Sequence, residues 1–561
     1  RFGLSSNLFA MRNLAGIGIN GRSNCFVTKT FVIGITAFPG IFMPTPHKNY
    51  LLSIDNGTQS VRAMLFDSEG SLIAKHSIPI EPYFSLQPGW AEQHSEYFWS
   101  ALCDACQGLW HQLEDQKDRI AALSVTTQRA TAVALDDTFR PIRPAFSWLD
   151  QRKVNTQPVL TAVESLVIKM LGLRRAVNSF HQNAESNWIA QMEPELWNKT
   201  AHYLLISGYH IFRLTGQFKD AIASQVGYLP FDFKRHCWAD PRDWKWRALP
   251  ITGLMLPELV DAGQNIGVIT EAASKDTGIP AGVPVIASGS DKACEVLGSG
   301  CLDPDVGSIS YGSLATYNVF SNNYLEVIKG HPAYPGLIPG TFNIEMAVQR
   351  GYWMVNWFKQ EFGLYEQQMA DKLGVSTETL FDDLLEKTSP GSRGLILQPL
   401  WSPNANDYDS EARGSIIGFT EEHGRAEIYR AIIEGIGFAL RQGKEQIEKR
   451  TGKKIRRLVV SGGGSQSDQI LQITADIFGL PVERPSTSET SGLGAAISAA
   501  GGSDLFPDLK TAARKMTKAA KRFEPNTRNG EIYTQLYTQV FLKMYEQLQP
   551  SFKSIRMISA R

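Results

Sequence analysis

Short apolar runs separated by polar turns, together with amphipathic stretches, predict an α/β chain. The clearest block covers the apolar run 50–55, the polar turn 56–60 and a second apolar run at 61–66. Apolar runs of this length bounded by Gly, Asn and Asp are typical of strands joined by tight turns. The amphipathic spacing of 95–116 predicts a helix, and strands alternate with helices as far as residue 291. The first half of the chain is therefore predicted to be α/β.

The same pattern starts again after residue 300. Residues 307–320 form a second apolar run, Gly-Ser turn and apolar run, similar in kind to residues 51–66. Two Gly turns of this sort, facing each other, are able to hold one polyphosphate. We therefore predict an N-terminal extension at 1–48 and two similar domains at 49–300 and 301–548.

Asp291 lies at the centre of the chain, in the stretch Ala287-Ser-Gly-Ser-Asp-Lys-Ala293. An apolar run precedes this stretch and a predicted helix follows it, so Asp291 is expected at a strand-to-helix turn facing a cleft. By itself, a Ser-Asp turn after a strand is more often a helix cap than a catalytic base. Lys292 is interpreted either as a phosphate or carboxylate partner or as an ordinary exposed lysine. The residues alone leave both pairs of alternatives open.

Two glycine-containing turns are candidates for binding phosphate or nucleotide. In Asp55-Asn-Gly-Thr-Gln-Ser60 the backbone N–H groups of the turn suit a phosphate and Asp55 suits a metal, although Asn-Gly is also a common hairpin turn. In Ser461-Gly-Gly-Gly-Ser-Gln-Ser467 a strand runs into a glycine triplet before a helix, which lets a ligand approach the helix N-terminus. The triplet matches neither the Walker A motif nor GxGxxG.

The overall composition excludes several classes of protein. Lys and Arg number 56, as do Asp and Glu, and no basic run stands out, which argues against a nucleic-acid partner. Six cysteines in 561 residues do not form a disulfide framework, so we expect a reducing compartment, the cytoplasm. The apolar run 31–42 is too short and too broken by Pro and Gly to span a membrane.

Residues 1–48 differ from the rest of the chain because they contain no Asp or Glu. The basic residues of this segment are Arg1, Arg12, Arg22, Lys29 and Lys48. Such a composition fits a transit-type presequence, which leaves organelle targeting open. It fits equally a read-through segment upstream of a true start at Met43.

Six segments, in order, together resemble the FGGY family of carbohydrate kinases over residues 49–548. These segments are Asp55–Arg62, Pro88–Gln93, Trp148–Arg152, Gly289–Lys292, Tyr311–Ser313, and Ser461–Ser467 with Glu489–Ala495. The resemblance implies two ribonuclease-H-like (actin-type ATPase) domains flanking a central cleft. It also implies ATP and Mg²⁺ as cofactors, a small-molecule sugar or polyol as the acceptor, and a possible homodimer or homotetramer.

The resemblance also assigns roles to individual residues. Asp291 is expected to be the general base and Asp55 the Mg²⁺ ligand. The expected nucleotide contacts are Gly57, Thr58, Gln59, Gly312, Ser313, Gly463, Gly464 and Ser467. The expected sugar contacts are Gln128, Arg129, Trp148, Asp150, Asp220 and Asp291.

These motifs do not identify the substrate. The glycerol-using branch of the family has Gln-Arg-Glu where this chain has Gln128-Arg129-Ala130, and a tyrosine at the position aligned with Phe180. A site lacking that carboxylate and phenol is expected to bind glycerol poorly. The Gln-Met-His-Gly segment of the xylulokinase branch is absent as well. The alternatives to a kinase are an inactive sugar- or nucleotide-binding regulator and an actin-fold ATPase without a sugar acceptor.

Overall fold

Two mixed β-sheets with matching strand order organise the protein. The computed structural model describes residues 48–312, 314–401 and 412–559. Ser313 and residues 1–47 of the predicted extension lie outside the described residues. Among those described, no helix has both the length and the apolar character needed to cross a bilayer.

The first half contains the secondary-structure elements up to residue 298. Its strands are β1 (Tyr50–Asn56), β2 (Ser60–Asp67), β3 (Leu72–Pro79), β4 (Glu92–Gln93), β5 (Ile120–Thr127), β6 (Ala132–Leu135), β7 (Ala145–Phe146), β8 (His202–Leu205), β9 (Lys219–Ala221), β10 (Phe231–Asp232), β11 (Cys237–Trp238), β12 (Glu258–Val260), β13 (Asn265–Val268) and β14 (Pro284–Ile286). Its helices are α1 (Ser95–Leu113), α2 (Ala162–Met170), α3 (Arg174–Asn183), α4 (Glu185–Met192), α5 (Pro194–Trp197), α6 (Ile206–Thr215), α7 (Trp244–Ala248), α8 (Glu271–Thr277) and α9 (Asp291–Gly298).

The second half contains the remaining elements. Its strands are β15 (Val306–Tyr311), β16 (Ala315–Ser321), β17 (Tyr334–Pro335), β18 (Phe342–Val348), β19 (Ile396–Gln398), β20 (Ser415–Ile417), β21 (Arg457–Gly462), β22 (Val482–Pro485) and β23 (Ala519–Phe523). Its helices are α10 (Trp353–Phe362), α11 (Leu364–Leu373), α12 (Thr377–Glu386), α13 (Arg425–Thr451), α14 (Asp468–Phe478), α15 (Thr490–Gly501), α16 (Leu509–Met516), α17 (Thr527–Leu536) and α18 (Leu542–Ser559).

The two sheets repeat one topology. The first has the order β3-β2-β1-β5-β14-β13, in which β1, β5 and β14 run parallel and the other neighbours run antiparallel. The second has the order β18-β16-β15-β21-β22-β23 with the same orientations, and β17 is added beside β18. The prediction that the chain is α/β and that its second half repeats the hairpin pattern of the first is confirmed.

This topology collects the predicted motifs at two sheet edges. The parallel strands β1, β5 and β14 end just before the 57–59 turn, Gln128 and the 288–291 turn, respectively. In the second sheet, β15 ends at Tyr311 before Gly312, and β21 ends at Gly462 in the glycine triplet. Ligands of open α/β sheets bind outside the carboxyl ends of the strands. Both edges therefore carry the residues expected at a binding cleft.

Helices α9 and α15 join the two halves through a close glycine contact. A Cβ atom on Gly298 would lie 2.0 Å from the carbonyl oxygen of Thr490, and one on Gly494 would lie 2.0 Å from that of Cys294. The two helix backbones therefore touch where any side chain would clash. Leu51 and Ile286 of the first half share an apolar core with Leu493 around this contact. The N-termini of the two helices lie side by side, since Ser491 Oγ of α15 donates to the backbone oxygen of Asp291 in α9 at 3.2 Å.

Candidate active site

Asp291 is the first residue of α9, and its side chain faces a cavity of about 560 Å³. Ser290, not Asp291, is the N-cap, because its side chain accepts the hydrogen bond from the backbone N–H of Ala293. Asp291 Oδ1 accepts a hydrogen bond from its neighbour's backbone, Lys292 N, at 2.8 Å. The side chain of Asp291 remains 29% exposed, so the carboxylate is accessible from the cavity.

Two cations lie beside Asp291. Lys292 Nζ donates to Glu295 Oε2 at 2.5 Å and to Ser310 Oγ at 2.9 Å, so the interpretation of Lys292 as an exposed lysine is wrong. Arg129 Nε lies 4.0 Å from Asp291 Oδ1. Burial raises the pKa of Asp291, and the charges of Lys292 and Arg129 oppose that rise. A carboxylate with a raised pKa is a better proton acceptor than an exposed one.

Arg129 also contacts the second half of the protein. Its Nη2 donates to Glu345 Oε1 at 3.0 Å, and its guanidinium lies 5.3 Å from the centre of the Tyr334 ring. The following residue, Ala130, has φ +50°, a strained conformation for a residue with a side chain. Glu345 and Tyr334 line the same cavity as Arg129. The ion pair therefore crosses the cleft next to Asp291.

Asp55 is buried at the end of β1 and retains one free carboxylate oxygen. Its β2 partner Arg62 donates to Oδ2 at 3.1 Å, whereas Oδ1 is buried and has no hydrogen-bond partner. Burial raises the pKa of Asp55 to about 6, Arg62 lowers it, and Asp291 and Glu489 raise it further. An orphaned carboxylate oxygen in a negatively charged setting fits a hard cation such as Mg²⁺. Within the described residues, no group of three or more His, Cys, Asp or Glu side chains is placed to hold a metal ion.

The two predicted phosphate turns line the cavity from opposite halves. Thr58 lies on one wall and Gly312 on the other. The N–H of Gly57 donates to Ser60 O at 3.1 Å, so the hairpin itself uses that group. Gln59 is exposed at the tip of the turn and does not line the cavity. The turn therefore presents Thr58, whose Oγ1 accepts a hydrogen bond from Trp148 Nε1 at 3.0 Å.

The three glycines of the triplet differ in backbone conformation and in surroundings. Gly462 has φ +80°, which favours glycine, and a Cβ atom on Gly464 would lie 2.6 Å from the Tyr352 ring. Gly463 is exposed, and a Cβ atom there would approach nothing closer than 4.0 Å. Ser467 accepts from Ile470 N at 3.1 Å as the N-cap of α14. These residues do not line the cavity that contains Asp291. A nucleotide that contacted both would have to extend out of that cavity.

The predicted sugar contacts differ in how available they are. Gln128 and Trp148 line the cavity, and the Gln128 amide is buried with neither its nitrogen nor its oxygen hydrogen-bonded. Asp150 also lines the cavity, but its Oδ2 accepts from Ala91 N at 2.7 Å and from Arg152 Nη2 at 2.6 Å. The Gln128 amide is therefore free for a ligand, whereas Asp150 is held by protein groups.

Asp220 does not line the cavity and is completely buried. Its Oδ2 accepts hydrogen bonds from Ser207 Oγ and Gln225 Nε2, each at 2.8 Å. This location does not support the prediction that Asp220 contacts the sugar. The residues around Asp220 use its carboxylate as an internal hydrogen-bond acceptor.

Sequence reasoning missed several charged residues at or near the cavity. Glu345 lies in β18 and is 216 positions from its partner Arg129, so no local motif signals the pair. Glu185, at the start of α4, lines the cavity between residues that carry no recognisable motif. Glu489 accepts from Lys75 Nζ at 2.7 Å and lies 3.4 Å from Arg62. The sequence signal for Glu489 is that it begins Glu489–Ala495, one of the segments that resemble the family, at the turn before α15.

Two solved kinase structures share the fold of this chain. The gluconate kinase of Lactobacillus acidophilus aligns with a TM-score of 0.75 and 23% identity, covering 90% of this chain and 99% of that one. Glycerol kinase of Plasmodium falciparum with ADP aligns with a TM-score of 0.70 and 21% identity, covering 89% of this chain and 98% of that one. These similarities establish the fold, two actin-like domains, as predicted.

Two curated proteins of similar sequence are sugar kinases by name. Xylulose kinase of Lactococcus lactis subsp. lactis (strain IL1403) is 30% identical over 502 residues, which are 89% of this chain and 96% of that protein. An uncharacterized sugar kinase of Escherichia coli (strain K12) is 30% identical over 498 residues, 88% of this chain and 93% of that protein. Neither relative supports the inactive-regulator alternative.

Family models match both halves of the chain. The model of the N-terminal domain of the FGGY family of carbohydrate kinases matches residues 50–298. The model of the C-terminal domain of the same family matches residues 307–502. The chain therefore belongs to the FGGY family of carbohydrate kinases.

Proposed function

We propose that this carbohydrate kinase transfers the terminal phosphoryl group of ATP to a primary hydroxyl of an uncharged sugar, with Asp291 as the general base. ATP-dependent phosphorylation of a sugar follows from the family, whereas the roles of individual residues are the proposal. One observation carries it: Asp291 lines the same cavity as Thr58 and Gly312, the two phosphate-type turns of opposite halves.

The chemistry assigned to the cavity is a single phosphoryl transfer. The sugar oxygen forms a bond to the γ-phosphorus, the bond from that phosphorus to the ADP oxygen breaks, and the hydroxyl proton passes to Asp291 Oδ. Because such transfers are loose, Asp291 mainly orients the hydroxyl, and most acceleration comes from positioning and charge stabilisation. Arg129 and Lys292 lie beside Asp291 and supply positive charge near the reacting groups.

Asp55 is the residue assigned to Mg²⁺. Its unpartnered Oδ1 and the nearby carboxylates fit a divalent cation. When bound, Mg²⁺ would neutralise phosphate charge. The nucleotide is assigned to the Thr58 and Gly312 turns and to the exposed backbone at Gly463.

For the sugar, the similarity to xylulose kinase makes D-xylulose the first candidate to test. Glycerol is disfavoured, since Ala130 and Phe180 line the cavity without polar side-chain groups. Phe180 packs edge-on against Tyr228 and Trp244, with ring centres 5.8 and 5.2 Å apart. An apolar wall at this point leaves the hydroxyl groups of a small triol without partners.

The experiment that tests the function measures ADP release with Mg-ATP and a panel of pentuloses, hexoses, pentitols, erythritol, glycerol and D-gluconate. We expect one uncharged sugar to respond clearly. In D291N we expect kcat/KM for that sugar to fall by about 10²–10⁴-fold while ADP still binds, since a positioned base contributes on this order. The exposed Asp137 offers a matched control, and D137N should retain full activity. Near-normal turnover by D291N would remove Asp291 from its role, and ADP release that no sugar stimulates would favour an ATPase.

A further inference from the structure

One carboxyl group on the cavity wall is not used by the phosphoryl-transfer machinery. Glu185 is the first residue of α4, lines the cavity, and is half-buried. Within the described part of the chain, its side chain forms no ion pair and no hydrogen bond with another side chain. Burial raises the pKa of Glu185 to about 8, as does the neighbouring Asp150, while Arg152 lowers it. At neutral pH this carboxyl group is therefore mostly protonated, and it can both donate and accept a hydrogen bond.

The wall beside Glu185 is a rigid network of ion pairs. Arg152 donates to Asp150 Oδ2 at 2.6 Å and to Glu92 Oε1 at 2.9 Å, and Arg143 pairs with Glu92 and Glu193. The Arg152 guanidinium also stacks against Trp90, Phe146 and Trp188, at 4.1 to 4.4 Å from the ring centres. These contacts fix the arginine tightly.

Arg152 nevertheless keeps one donor free. Its Nη1 is buried without a hydrogen-bond partner, and the residue lines the same cavity as Glu185. A buried unpaired guanidinium nitrogen costs free energy unless a ligand accepts its hydrogen bond. A donor without a partner and a carboxyl group without a side-chain partner thus occur together on one wall.

Different charged residues have the largest effects on Glu185 and on Asp291. For Glu185 they are Asp150 and Arg152. For Asp291 they are Lys292, Arg129 and Glu295. The cavity therefore has two polar regions, one for the reacting hydroxyl and phosphate and another around Glu185.

We propose that Glu185 is a specificity-determining residue, whose carboxyl group, with Nη1 of Arg152, binds a hydroxyl group of an uncharged sugar. The assignment rests on the proposed function, since it names the substrate contacts of the same cavity. It requires that the sugar reach from Asp291 to this second polar region, and Asp291, Arg152 and Glu185 line one cavity of about 560 Å³.

The charge of the wall explains the preference for an uncharged group. The network holds two guanidinium groups, Arg143 and Arg152, against three carboxylates, Glu92, Asp150 and Glu193. The positive charge of Arg152 is thus already offset by its partners. A carboxylate on the sugar would therefore meet a wall that already carries one more negative than positive charge, before Glu185 is counted.

The test measures sugar binding by calorimetry without nucleotide, so that it does not depend on turnover. The probes are D-xylulose, or the uncharged sugar with the highest kcat/KM in the kinase panel, and D-gluconate. The variants are E185A, which removes both hydrogen-bonding functions, and E185Q, which keeps a donor and an acceptor. Glu195, exposed on the next helix, α5, provides the matched control E195A.

We expect E185A to weaken binding of the uncharged sugar at least tenfold, which corresponds to the loss of one buried hydrogen bond. E185Q should bind within about threefold of wild type, and E195A should bind as wild type does. Wild type should bind D-gluconate at least tenfold more weakly than the uncharged sugar. Binding by E185A within twofold of wild type, no binding of the uncharged sugar by wild type, or tighter binding of D-gluconate would each overturn the inference. Sugar binding that is lost in E185A, in a protein that releases no ADP, would instead leave the inference standing and reject the kinase assignment.

Discussion

Nη2 of Arg129 lies 3.0 Å from Oε1 of Glu345, and the same guanidinium lies 4.0 Å from Asp291 through its Nε. One arginine therefore connects the proposed base in the first half with a carboxylate in the second. Glu345 sits in β18 and is almost fully buried, with 9% of its side chain exposed. The position of the second domain is thus coupled to the electrostatic environment of the base.

The first prediction concerns the pH dependence of kcat/KM. Asp291 acts as a base only when ionised, and burial holds its pKa above the ordinary value, so activity should fall as the pH falls through that pKa. R129Q removes a cation that stabilises the carboxylate, and the acidic limb should move to higher pH. E345Q removes the negative charge that offsets Arg129. The positive charge of Arg129 then acts more strongly on Asp291, so the acidic limb should move to lower pH. Kinetics from pH 4.5 to 8 measure both shifts.

The control for this prediction is R235Q, because the Arg235 side chain is 71% exposed and pairs only at the surface with Asp232. That variant should keep the wild-type profile. Equal profiles for R129Q, E345Q and wild type would mean that Arg129 does not act on the group that titrates.

The second prediction concerns Mg²⁺. Asp55 Oδ1 is buried and unpartnered, and D55N replaces a carboxylate ligand with a neutral amide. The Mg²⁺ concentration for half-maximal activity should rise at least tenfold at fixed ATP, because carboxylate oxygens are preferred Mg²⁺ ligands. Titration of activity with Mg²⁺ measures it, with D137N as the control. An unchanged titration would remove Asp55 from the metal site.

The third prediction separates two adjacent glycines. An alanine Cβ at Gly464 would lie 2.6 Å from Tyr352 and 2.8 Å from Tyr311, so G464A should lower the free energy of unfolding by about 1–3 kcal/mol. An alanine Cβ at Gly463 would come no closer than 4.0 Å to another residue, the backbone oxygen of Tyr311, so G463A should change stability by less than about 0.5 kcal/mol.

Nucleotide binding should respond in a different way to the same pair. Gly463 is exposed at the end of β21, where the proposed nucleotide approaches the backbone, so G463A should raise KM for ATP several-fold. Urea unfolding and ATP kinetics on both variants make the comparison. If G463A left KM for ATP unchanged, the glycine triplet would be a packing feature only.

The sequence predicted the parts of this site that depend on local order. Asp55, Gln128 and Asp291 follow apolar runs that become parallel strands β1, β5 and β14, and carboxyl ends of parallel strands meet at one edge. The turns at Thr58 and Gly312 followed from the repeated hairpin pattern. These features depend only on the spacing of apolar residues and on turn-forming residues, both of which can be recognised from neighbouring positions in the sequence.

The remaining features depend on contacts between distant residues. Glu345 resembles any polar residue in a strand until β18 lies across from Arg129. Lys292 appears exposed in a helix start, but Glu295 one turn later and Ser310 on β15 enclose it. Asp220 has the residue type of a sugar ligand, and only its burial against Ser207 and Gln225 assigns the carboxylate to the protein itself.

Asp220 gives the last prediction, which concerns stability. Burial raises its pKa to about 6, although hydrogen bonds from Ser207 and Gln225 lower it. The folded state then binds the proton more tightly than the unfolded state, so the favourable contribution of the protonated carboxyl is lost as the pH rises from about 4 to about 6. Two pKa units correspond to about 3 kcal/mol. D220N cannot ionise, so its stability relative to wild type should rise by about this amount between pH 4 and pH 7.

Urea unfolding of D220N and wild type at pH 4.5, 5.5 and 7 measures this difference, and D137N, at an exposed position, should show none. Because Asp220 lies outside the cavity, D220N should also leave KM for the sugar within about twofold of wild type. A large increase in KM without loss of stability would restore Asp220 as a sugar contact. A stability difference that does not change with pH would mean that the carboxyl ionises as easily in the folded protein as in the unfolded chain.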